Sequence, residues 1–204
     1  MSMKNTTING VKREEWMPCP KVHVDYPGLA YLYSLDEFIL VKKTDKLHDL
    51  IGLRSKDTSY TIINNQGQKV FLAVQKGKNK FEIRIYNVYG NELIIVNKPY
   101  SWCLNKALIW APPGNFVGSV QETKSCLKTY IVKNHLGEKV LKLIKARGFT
   151  KDEAYNVFSQ NEVVGLVTTR WRNAVYFPIE MDIPIKCILL GACFLICWKN
   201  QRFL

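Results

Sequence analysis

The sequence has few of the residues that ordinarily build catalytic or metal centres. Only three histidines are present, His23, His48 and His135, and they are scattered. The six cysteines, at 19, 103, 126, 187, 193 and 197, contain no C-x-x-C pair and have no nearby histidine to complete a zinc site. No nucleophile elbow, Walker loop or paired-carboxylate motif occurs. Residues 1–15 are polar, without the apolar run that targets a chain for secretion. Carboxylates are scarce too: 17 Asp and Glu stand against 29 Lys and Arg, a formal net charge of +12. These shortages argue against a disulfide framework, a zinc module and the familiar hydrolase and nucleotide-binding classes. The cysteines read as reduced thiols of a cytosol-facing protein.

What is present is a basic, aromatic-rich globular chain. It has 204 residues, 47% hydrophobic and 23% charged, with five Trp, ten Tyr and nine Phe. That composition excludes a disordered tail, a collagen-like chain and a polytopic membrane protein, and the length suits one domain. The charge is uneven: residues 1–60 carry nine basic and eight acidic side chains, residues 61–204 twenty and nine. Such asymmetry suits an anionic partner surface, phospholipid or nucleic acid, and also an ordinary solvated face.

Self-similarity organises the middle of the chain. Asn64-x-x-Gly67-x-x-Val70, Asn87-x-x-Gly90-x-x-Leu93 and Asn134-x-x-Gly137-x-x-Val140 repeat one pattern, each copy flanked by strand-like runs. Glycine supplies the positive φ of a tight hairpin and asparagine favours turns. The second and third copies lie 47 residues apart, and Val117-Gly118-x-Val120 matches Val164-Gly165-x-Val167 at the same offset. Residues 81–122 and 128–169 therefore read as two copies of a four-strand unit. Short strands with frequent turn signals predict an all-β sandwich or barrel. Tyr31–Leu35 and Phe38–Lys42 also read as strands, residues 45–53 as a short helix or strand, and residues 1–24 as an irregular leader.

The C-terminal segment breaks this pattern. Cys187 to Trp198 are twelve apolar residues without a charge, preceded by Pro184 and Lys186. As a helix that run is about 18 Å long, short of the ~20 residues needed to span a bilayer. A helix apolar on all faces must be buried. The expectation is a core helix over 183–198, represented by Leu190, Gly191, Phe194 and Leu195, enclosed by a β-barrel.

Several stretches, in order and spacing, resemble the phospholipid scramblases over roughly residues 16–198. They are Trp16-Met17-Pro18, Pro27-Gly28-Leu29-Ala30-Tyr31-Leu32, Tyr60 to Val70, Ala111-Pro112-Pro113-Gly114 with Gly118-Ser119-Val120-Gln121, Val164-Gly165 with Trp171, and Leu189 to Ile196. The resemblance implies a Tubby-like fold: a closed barrel of about twelve strands around a hydrophobic C-terminal helix, here one domain over 25–204. It also implies calcium-triggered, ATP-independent movement of phospholipids between leaflets, palmitoyl anchoring and, in some members, nuclear import and DNA binding. The family's acidic, EF-hand-like segment is absent, since Trp171 to Tyr176 run straight into Phe177-Pro178 and leave only Glu180 and Asp182. Two carboxylates cannot supply the six to eight oxygens calcium takes, and they suit the N-terminal turn of the last helix. The family's cysteine cluster is reduced to Cys103, and its proline-rich N-terminal extension is not seen.

No cofactor or metal site and no covalent chemistry are therefore expected. Cys103, beside Trp102, is the lipidation candidate, with an idle thiol as the plain alternative. Lys139, Lys142, Lys145, Arg147 and Lys151 form one candidate anionic-lipid surface, and Lys76, Lys78 and Lys80 a weaker one, which a solvated loop explains better. The expected partners are a phospholipid bilayer and anionic lipids, and the expected place is the cytosolic face of the plasma membrane, with a nuclear fraction open. The activity implied is phospholipid scrambling. The alternatives are a Tubby-like lipid-binding module without transport and a nuclear or DNA-binding role. The last is weakened because most aromatic residues fall at core-facing strand positions.

Overall fold

Each Asn-x-x-Gly copy closes a tight hairpin, and the three do so identically. In the computed structural model, which describes residues 15–22, 27–43, 57–76, 81–99, 105–124, 128–146, 154–169 and 172–201, the N–H groups of Gly67, Gly90 and Gly137 donate to the carbonyls of Asn64, Asn87 and Asn134 at 3.0 Å. Each Asn Oδ1 accepts from the backbone N–H groups two and four residues on, at 2.8–3.1 Å. The three glycines have φ of 77°, 80° and 83°, where a side chain is penalised.

These turns and their neighbours connect twelve strands: β1 (Glu37–Lys43), β2 (Thr58–Ile63), β3 (Lys69–Gln75), β4 (Glu82–Tyr86), β5 (Glu92–Asn97), β6 (Lys106–Trp110), β7 (Phe116–Glu122), β8 (Thr129–Asn134), β9 (Lys139–Lys145), β10 (Ala154–Ser159), β11 (Glu162–Thr168) and β12 (Asn173–Tyr176). Consecutive strands pair antiparallel, and β1 pairs with β12, Phe38 opposite Val175, to close the barrel. Closure leaves no strand edge open. The two predicted four-strand units are β4–β7 and β8–β11. Their matched glycines share a role: a side chain at Gly118 would strike the carbonyl of Lys133, and one at Gly165 that of Tyr176.

The helix α1, Ile183–Gln201, lies on the barrel axis. Every side chain from Cys187 to Trp198 is buried. It packs against several strands: Tyr60 meets Phe194 edge-on at 5.4 Å, Phe81 lies 5.2 Å from Trp198, and Gly191 faces Ile109 and Val96. The helix is three residues longer than expected, and 19 residues give about 28 Å. By length and composition it could cross a bilayer, so its shortness does not decide its place. Burial does.

Two further expectations change. Tyr31–Leu35 is not a strand: Pro27–Ser34 forms a 3-10 helix that caps one end of the barrel. The closed sheet offers no edge on which another strand could pair, and Tyr31 instead packs edge-on against Phe71 at 5.9 Å. Lys186, expected to mark the edge of the apolar run, is fully buried inside α1. Its ammonium donates to the carbonyls of Leu32, Leu35 and Ile179 at 2.9, 2.8 and 2.7 Å, one acceptor for each of its three protons. Residues 45–53 and most of 1–24 lie outside the described residues. Where the leader is described, Met17 N–H donates to the Lys69 carbonyl and Lys69 N–H to that of Glu15.

Candidate functional site

Alternation along a strand places every second side chain on the outer wall. On β8 and β9 the inward set is Tyr130, Val132, Leu141 and Leu143, all buried. The outward set is Ile131, Lys133, Lys142 and Ile144. The Asn134 turn sets Lys133 directly opposite Lys139, and Ile131 opposite Lys142. Two like charges directly opposed on one face repel each other. No carboxylate within ion-pairing distance neutralises Lys133, Lys139 or Lys142 among the described residues. The register continues the Lys142 row through Ile131 and Gln121 to Lys106 on β6, three strands or about 14 Å away. The result is a cationic wall over β6–β9 with apolar side chains between the charges.

At the rim the alternation turns Lys128 and Lys145 toward the barrel's inner side, and the Lys145 N–H donates to the Lys128 carbonyl. Among the described residues the carboxylate there is Glu122, and it is already used. Lys199 and Asn105 both hydrogen-bond it and tie the C-terminal end of α1 to β7. Burial raises the Glu122 pKa, but the hydrogen bonds from Lys199 and Asn105 outweigh it and leave the pKa below the ordinary range. Lys98 completes the cluster by bonding Asn105 and lying 5.2 Å from the centre of the Trp198 ring.

Of the residues expected to meet lipid, the structure brings Lys139, Lys142 and Lys145 onto one strand, with Lys139 at the turn end and Lys145 at the other. Lys76, exposed just after β3, does not join them, because β3 and β9 stand six strands apart in a closed ring of twelve. Lys78, Lys80, Cys103, Arg147 and Lys151 lie outside the described residues. Leu190, Gly191, Phe194 and Leu195 all sit within the buried stretch of α1. Glu180 and Asp182 are exposed, and the Asp182 carbonyl accepts from the Lys186 N–H at the helix start. No cluster of three metal-ligating side chains occurs among the described residues. The buried Cys187 thiol is pushed up to about 12 by desolvation, far from a reactive thiolate.

Sequence reasoning missed Lys133, Lys106 and Lys186. Lys133 was within reach of it: the Asn134 hairpin pairs it with Lys139 by turn geometry alone. Lys106 joins only through the register of three further strands.

A family model described as Scramblase matches residues 17–200. The chain is similar to phospholipid scramblase 1 of Mus musculus, 29% identical over 217 residues, which covers 89% of this chain and 66% of that protein. It is also similar to phospholipid scramblase 2 of Bos taurus, at 29% identity with 89% and 74% covered. A third relative is phospholipid scramblase family member 5 of Homo sapiens, at 28% identity with 83% and 75% covered. The chain thus spans just under two thirds of the first of these proteins.

Proposed function

The chain belongs to the scramblase family, and from that premise we propose that it is a membrane-associated phospholipid scramblase that docks on anionic bilayers through the β6–β9 wall. The observation that carries this reading is the wall itself: opposed lysines with no internal counter-charge are complementary to lipid phosphates. Each lysine near an anionic surface contributes about 1 kcal/mol of attraction, and salt weakens it. Scrambling breaks no bond and needs no catalytic group, only a lower barrier for a headgroup crossing hydrocarbon. Because α1 fills the barrel axis, the headgroup's route runs outside the barrel. That filled interior also favours the second reading, a lipid-binding module without transport.

Electrostatic docking is reversible, and one acyl chain alone anchors only marginally, so stable residence takes both. Acylation at Cys103 supplies the second signal in this proposal and holds the protein at the cytosolic face of the plasma membrane. A fluorescent-lipid scrambling assay in liposomes tests the activity. The expected result is salt-sensitive binding to anionic liposomes and scrambling at equal rates with calcium or chelator. Binding without scrambling selects the module reading, and no binding at low salt overturns docking. For the anchor, Cys103→Ser should move the protein from membrane to cytosol in cell fractionation. An unchanged membrane fraction removes Cys103 from the mechanism.

A further inference from the structure

Beside the cationic wall runs a shallow, open groove of about 610 Å³. Its lining is largely apolar, with Val163, Val164, Leu166 and Phe177 along it and Asn156 and Asp36 as its polar members. Three local features of β11 make it. A register shift against β10 pairs Val157 with Gly165 and Phe158 with Val163, so Val164 is an extra, bulged residue. The bulged residues of β3, β5 and β7 are Val70, Leu93 and Val117, all buried, whereas those of β9 and β11, Val140 and Val164, stay partly open. Gly165 lines the groove and brings the carbonyl of Tyr176 close. The first outward position after the turn is Lys69 on β3, Glu92 on β5, Phe116 on β7 and Lys139 on β9. On β11 it is Val163, 59% exposed.

The groove has a polarity. Val163 stands opposite Phe158, and Phe158 opposite Lys142, so the unpaired lysine lies two strands or about 10 Å from the apolar lining. Asp36 is exposed and repels anions from its own part of the groove. An amphiphile with a negative head therefore fits in one sense only, its head toward Lys142 and its chain along Val163, Val164 and Leu166. We propose that this groove seats an acyl chain of an anionic phospholipid whose phosphate rests on Lys142. The inference deepens the docking proposed above, because it makes one lipid a specific ligand of the wall as well as part of a charged surface.

A soluble lipid separates this claim from docking. Dihexanoyl phosphatidylserine, kept below its micelle-forming concentration, is titrated into the full chain and followed by amide NMR shifts. Saturable shifts confined to β10–β12 and the Lys142 region are expected. Val163→Gln/Leu166→Gln should weaken binding by about tenfold through lost apolar contact, with the thermal midpoint unchanged. Lys142→Gln should weaken binding and abolish any preference over dihexanoyl phosphatidylcholine. Absent shifts, shifts at other sites, or an undiminished affinity in the double variant overturn the groove, even if anionic vesicles still bind. Loss of vesicle binding with the groove shifts intact overturns docking alone. As the fold control, the double variant should keep the wild-type dispersion of core amides.

Discussion

The hairpins β4–β5 and β8–β9 are built on one plan and carry opposite surface chemistry. Both close on Asn-x-x-Gly, both shift register just before the turn, and both bury their inward residues against α1. Their outward positions correspond at the offset of 47 residues, with Tyr86, Glu92 and Ile95 on one and Lys133, Lys139 and Lys142 on the other. On β4–β5, Arg84 donates to Glu82 and Glu92 at 2.8 and 2.9 Å, and the Tyr86 hydroxyl donates to Glu92. That face pairs its charges within itself and keeps a net negative charge. On β8–β9 the same pair of positions sets Lys133 against Lys139. Outward positions do not touch the core, so the fold tolerates either pattern. The lysines are therefore free to serve the proposed docking, whereas the shared turn and core serve the barrel.

The strongest way to break this contrast is through what the two hairpins share. Leu190→Asp puts an unpaired charge on the barrel axis, a cost of about 3–5 kcal/mol, comparable to the whole stability of a domain. Both hairpins should melt together in one transition followed by amide exchange. Survival of a folded chain that merely loses vesicle binding would falsify the enclosed-helix account.

Next in size is a lysine buried within the fold. Lys186→Met leaves three carbonyls without their donor and should lower stability by about 3 kcal/mol in denaturant titration, while vesicle affinity of the folded fraction stays the same. Burial holds the Lys186 pKa below its ordinary 10.5, against the opposing pull of Asp36 and Glu180. The folded chain thus binds fewer protons than the unfolded one between that lowered value and 10.5, and stability should rise with pH across this window. In Lys186→Met that rise should disappear.

The wall lysines should behave in the opposite way. Lys133→Gln, Lys139→Gln and Lys142→Gln together should lower affinity for anionic vesicles by on the order of a hundredfold at low salt, from about 1 kcal/mol per lost cation. Thermal stability should hold or rise, because the Lys133–Lys139 repulsion is relieved. Co-sedimentation and calorimetry give both readouts, and a fall in stability with intact binding would reverse the assignment.

The smallest effect tests the shared turn. Asn87→Ala and Asn134→Ala each remove the acceptor for two backbone N–H groups, and each should cost about 1 kcal/mol. Equal losses, with vesicle binding unaffected by either, are expected from denaturant midpoints. A much larger loss at Asn134 would mean the turn supports more than its own hairpin.

Much of this architecture was legible in the residues because its signals are local. A turn of five residues writes its own hydrogen bonds, so the three hairpins and the 47-residue unit could be read without neighbours. Uniform apolarity over Cys187–Trp198 likewise demanded burial whatever surrounded it. The candidate surface was legible only in part. Lys139, Lys142 and Lys145 are near in sequence and stayed together, whereas Lys76 was carried to the far side of the ring.

The sequence by itself determined the turns, the alternation along each strand, the all-apolar helix and the resemblance to a family, since each depends on residues close along the chain. Tertiary structure alone decided that Tyr31–Leu35 is a helical cap, because closure of β1 on β12 removed every edge. It alone made Lys186 an interior residue, because only the folded chain brings three spare carbonyls to its ammonium. The wall and the groove also come from closure. Which side chains face outward follows a period of two that any strand carries, but which strands stand side by side is settled by the register of twelve pairings around the ring.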